Sequence, residues 1–156
     1  MNTYLILKWV HILGSTILFG TGIGIAFFKW TTDRSKDINA IRIVNERTVW
    51  ADWIFTTPAV ILQPITGMGL VYHAGYSLSN SWVTWATFLY LFAGCCWLPV
   101  LKLQLVMRDL SRSAYQHNAQ LPKEYWRYAR IWFWLGVPAF LSLLVVYWLM
   151  IFKPAL

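Results

Sequence analysis

Residues 4–28 read YLILKWVHILGSTILFGTGIGIAFF, a nearly unbroken apolar stretch in which Lys8 and His11 are the only ionisable side chains apart from Tyr4. About 20 such residues suffice for a helix to cross the roughly 30 Å hydrocarbon layer. Lipid offers no partner to an open strand edge, so a run of this length must be helical. It lacks a basic leading segment and a small-residue cleavage site, and it continues past the about 7 to 15 apolar residues of a secretory leader. It is therefore predicted to be a retained first span.

Three further stretches have the same character, at about 52–73, 82–107 and 128–152. Apolar residues make up 58% of the chain and charged residues only 12%, too few for a water-soluble surface. The expected fold is all-α, a polytopic four-helix transmembrane bundle in one domain over residues 1–156. A net charge of +7 raises nucleic acid as a partner, but the basic residues fall in two clusters between apolar runs and form no continuous basic face. Membrane topology accounts for them better.

Lys29, Arg34, Lys36, Arg42 and Arg47 follow span one, and Arg108, Arg112, Lys123, Arg127 and Arg130 surround the third connection, whereas 74–81 has no Lys or Arg. The positive-inside rule then predicts loops 29–51 and 108–127 in the cytoplasm and both termini on the periplasmic side of a bacterial inner membrane. Tryptophans support that layout. Trp9, Trp82, Trp85 and Trp148 fall near the outer ends of spans, six others near the inner ends, and only Trp97 lies deep. Ile38, Ile41 and Val44 predict a short amphipathic helix on the cytoplasmic surface.

Polar side chains inside the spans are expensive and so informative. Lys8, His11 and Ser15 share one helical face, as do Gln63, Thr66 and His73. His11 lies about 10 Å along its helix from the outer end, where it reads as a metal or haem ligand, a proton carrier, or a neutral ring bonded to another helix. His73, at the outer end, reads first as interfacial, Met68 as core, and Lys102 and Lys153 as snorkelling anchors. Pro58 and Pro64 each remove an amide donor, which predicts a kinked or locally unwound span two. Gly20 and Gly24 predict a close helix approach. Adjacent Cys95 and Cys96 are poorly arranged for a mutual disulfide and read as packing residues.

The segments LKWVHILGSTILFGTGIGIAFF (7–28), ADWIFTTPAVILQPITGMGL (51–70) and WLPVLKLQLVMRDL (97–110) resemble an uncharacterised bacterial family of four-span inner-membrane proteins. KWVHILG, TTPAVIL, MRDL, VP and the terminal KP are also distantly similar to HemJ-type protoporphyrinogen IX oxidases. That likeness implies a b-type haem and an oxidoreductase. His11 matches the span-one histidine of those enzymes and Lys153 their C-terminal lysine. Where they carry a span-three histidine, this chain has Trp97, Leu98, Pro99 and Val100.

Three readings follow. The first is a haem b redox bundle, with His11 as one iron ligand, His73 or Lys153 as the other, Gln63 as a nearby polar group, and quinone or a respiratory subunit as electron partner. The second is a non-catalytic accessory or assembly protein, as a single chain or a homo-oligomer. The third is transport of a metal or small solute, which histidines without intramembrane carboxylates support weakly. Lys8, His11, His73 and Lys153 place the expected site in the outer half.

Overall fold

The computed structural model describes residues 2–154, all of whose regular elements are helical. They are α1 (Thr3–Ser35), α2 (Ile38–Ala51), a π-helical turn (Asp52–Thr56), α3 (Thr57–His73), α4 (Ser81–Gln116) and α5 (Lys123–Phe152). Four stretches are long and apolar enough to cross a membrane, the second being the continuous rod Ile38–His73.

Local chemistry sets the helix ends. Asn2 caps α1 by accepting from Tyr4 N, and α1 stops at Lys36, whose backbone is left-handed (φ 57°). Asp37 then caps α2 by accepting from Asn39 N and Ala40 N. The π turn lies just before Pro58, whose ring has no N–H to give Ile54 O and crowds that carbonyl. Its widened turn is the local disturbance expected from the prolines of span two. Pro64 cannot donate to Val60 O, and the hydroxyl of Tyr90 on α4 does so instead at 2.6 Å.

Helices of 33 and 36 residues run roughly 50 Å, about 20 Å more than the hydrocarbon layer. The excess lies at the basic end, where α2 packs against α1 and α4. This corrects the surface-helix expectation in one respect. The stretch is helical, but its buried stripe is Ile41, Asn45, Thr48 and Val49, not Ile38, Ile41 and Val44. That stripe faces protein.

The bundle is two antiparallel pairs, α1 with α3 and α4 with α5, tied by α2. At the basic end Ile41, Val100, Met107, Tyr125 and Trp132 form one core; at the end carrying the termini Trp82, Val83, Ala86, Val146 and Leu149 form another. Between the cores the pairs part. Phe19 bridges them edge-on to Phe140 and Tyr147, and Ser15 Oγ meets Tyr147 OH at 2.9 Å.

Gly20 and Gly24 have open space where a side chain would stand, so the expected close approach is not made there. It is made at Gly14, Gly67 and Gly69 in the α1–α3 seam. A Cβ on Gly14 would lie 2.6 Å from Gln63 Nε2, one on Gly67 3.3 Å from His11 Cε1, and one on Gly69 3.0 Å from Leu7 Cδ1.

Candidate functional site

His11 enters that seam half-buried, its Nδ1 2.8 Å from Thr66 Oγ1. The single Thr66 hydroxyl proton goes to Leu62 O at 2.7 Å, so its oxygen accepts from the imidazole. This places a proton on Nδ1, which leaves Nε2 as the nitrogen not engaged by Thr66. Gln63 Nε2 donates to the His11 carbonyl at 2.9 Å. Of the sequence-derived residues, then, the structure brings His11, Gln63 and Thr66 together. The exposed His73 ring stands against Tyr72. Lys153 Nζ donates to Tyr76 OH at 3.1 Å and lies over the Tyr76 and Trp82 rings. Among the described residues no group of three or more His, Cys, Asp or Glu converges on a metal position.

A different place has the form of a ligand site. Where the helix pairs part, they enclose a crevice of about 500 Å³ lined by all four long helices, within the range of small-molecule sites. Its walls are apolar, with Leu18 and Ala26 from α1, Val60 from α3, Ala93 from α4, and Gly136 and Phe140 from α5. Its polar side chains gather toward the basic end. Asp52, Thr56 and Gln104 are each buried there, and Trp97 and Trp132 border the same space.

The hydrogen bonding of these groups is incomplete. Among the described residues Asp52 Oδ2, Thr56 Oγ1, Trp97 Nε1 and Trp132 Nε1 are buried without a hydrogen bond of good geometry, although Thr56 and Gln104 are the polar groups facing the Asp52 carboxyl. A buried unpaired polar group costs about 1–3 kcal/mol. Four on residues around one cavity set this region apart from the rest of the interior. Apolar rims, including the exposed Ile23, Phe27 and Leu141, suit entry from lipid.

A second polar cluster lies close by with its bonds complete. Tyr125 OH, on α5, donates to Asp33 Oδ1 at 2.6 Å and accepts from Lys29 Nζ at 2.9 Å and Asn45 Nδ2 at 3.0 Å. Lys29 also bonds Asp33 Oδ2 at 3.0 Å, and Asn45 reaches Ser111 on α4 at 3.3 Å. One phenol thereby joins α1, α2 and α5, and through Asn45 reaches α4.

Sequence reasoning missed both clusters. Asp52 is the one carboxylate within the four spans as first bounded, which was the available signal; it also corrects the premise that the spans hold none. Lys29 and Asp33, at i and i+4, were a signal for a paired buried lysine that was counted only as loop charge.

The fold and its lipid-facing surface define a multi-pass integral membrane protein built on four long helices. Residues 5–154 match the DUF2269 family, described as predicted integral membrane protein, and the chain belongs to that family, a domain of unknown function. Neither a curated protein nor a solved structure matches it. The comparisons show the integral-membrane family and do not show the likeness to HemJ-type oxidases.

Proposed function

We propose that this protein binds a lipid-soluble amphiphile of the quinone class in the crevice, with the ring seated toward Asp52, Thr56, Trp97 and Trp132 and the tail leaving between α1 and α5. The observation that carries this reading is that four residues lining one apolar cavity each hold a buried polar atom with no hydrogen-bond partner among the described residues. Indole N–H and threonine hydroxyl groups donate to the carbonyl oxygens of an oxidised ring, and the Asp52 carboxylate accepts from the hydroxyls of a reduced one. A site able to hold both forms serves membrane electron transfer. By the asymmetry of the basic loops, the crevice floor belongs on the cytoplasmic side of a bacterial inner membrane and the termini on the periplasmic side.

The test is a titration of detergent-purified protein with a short-chain quinone, read as tryptophan quenching. Thr56→Val and Asp52→Leu retain every tryptophan, so their signals compare directly with the parent. Saturable quenching that weakens about tenfold in either variant is expected, the equivalent of one lost hydrogen bond of about 1.4 kcal/mol. Linear, partition-like quenching, identical in all three proteins, sinks the reading.

His11 favours a second reading, a b-type haem with His11 as one axial ligand. With Nδ1 engaged by Thr66, the other ring nitrogen is left to ligate, the arrangement seen in a ligating imidazole. Bound haem would supply one-electron chemistry. Protein made in haem-supplemented cells should then show a Soret band that His11→Ala removes; colourless protein ends this reading.

A further inference from the structure

Below the crevice, between the end of α1 and the first turns of α5, lies a groove of about 1100 Å³ that shares Trp30, Trp132 and Phe133 with it. Its walls carry Arg34, Lys36 and Arg130, all exposed, beside Lys29. Asp33 is the one carboxylate among the lining residues, and both its oxygens are occupied, by Tyr125 and Lys29. Among the described residues none of Arg34, Lys36 and Arg130 forms an ion pair. Among the described residues, the groove therefore holds three cations beyond the Lys29–Asp33 pair.

The surroundings say what kind of anion fits. The Arg34 guanidinium lies 4.5 Å from the centre of the Trp30 ring; stacking orients the planar fork while leaving its N–H donors for a phosphate. Trp30 and Trp126 edge the groove, the residues that sit at headgroup level in a bilayer. Exposed Phe27, Phe28 and Phe133 continue the surface toward the apolar belt. A ligand here would have its charge among arginines and its chains against aromatic rings. Basic pockets between helices at the membrane surface hold anionic headgroups on the same terms.

We infer that this groove is a binding site for the phosphate headgroup of an anionic phospholipid. The site is separate from the crevice and stands whether or not the crevice takes a quinone.

The test counts lipid retained on the purified full chain in neutral micelles doped with phosphatidylglycerol or phosphatidylcholine. Phosphatidylglycerol should be retained about tenfold over phosphatidylcholine, and Arg34→Gln/Arg130→Gln should abolish the preference. Arg47→Gln/Arg112→Gln removes the same charge outside the groove and should leave it. Equal retention of the two lipids by the parent protein, or equal loss in both double variants, overturns the proposal. Displacement of the lipid by inorganic phosphate would reassign the groove to a free anion and overturn it as well. Quinone quenching in Arg34→Gln/Arg130→Gln should match the parent, which separates this result from the fate of the crevice reading.

Discussion

The cluster around Tyr125 and the floor of the crevice are made of similar material. Each gathers buried polar side chains from several helices near the basic end, and each contains a carboxylate. They differ in completeness. The Tyr125 phenol has its one proton and both acceptor positions engaged, and no atom of its cluster is left over. At the floor, four atoms are left over. A complete network holds helices together; an incomplete one around a cavity stores interactions for something else to make. Burial and polarity alone would not have separated the two.

Substitutions turn that contrast into a measurable order, read as the midpoint of heat-induced loss of the monodisperse peak in detergent. Asp33→Ala should be the most damaging, by about 3–5 kcal/mol, because it leaves Lys29 buried and unpaired. Adding Lys29→Met to it should recover part of the loss. Tyr125→Phe should cost about 1–3 kcal/mol, since Lys29, Asn45 and Asp33 each lose a partner while the ring stays. Gly14→Ala should cost about 1 kcal/mol, because its methyl displaces the Gln63 amide from the His11 carbonyl and outweighs the gain in helix propensity. Thr56→Val should change the ligand-free protein by less than about 0.5 kcal/mol or stabilise it, as its hydroxyl faces the Asp52 carboxyl without a hydrogen bond of good geometry. A loss as large as that of Tyr125→Phe would erase the distinction between the regions.

How much of this was legible in the sequence follows from the range over which each signal acts. Four spans are readable because every residue of a membrane helix faces the same solvent requirement, and length and composition carry it. The seam at His11 was half legible. Gln63 and Thr66 could be placed on one face of their helix, but which face of α1 they would meet depends on glycines 14, 67 and 69, and glycine pairs of equal promise at 20 and 24 meet nothing. Tyr125 and Lys29 are 96 positions apart, beyond any periodicity. Asp52 is the first residue of the span bounded at about 52–73, next to a stretch expected to lie on the membrane surface. Once α2 and α3 form a continuous rod, the same residue becomes interior. The expected outer-half residues remain outside the crevice lining, and only His11 and Gln63 meet.

The bond from Tyr90 to Val60 O carries one more consequence. A proline in a helix is ordinarily counted as a weak link, since it leaves a carbonyl with no donor four residues back. Here that carbonyl is an index mark. Sliding α4 by one turn in either direction would bring Ala86 or Gly94 opposite it, and neither side chain can donate. The missing proton of Pro64 thus contributes to the axial alignment of α3 against α4.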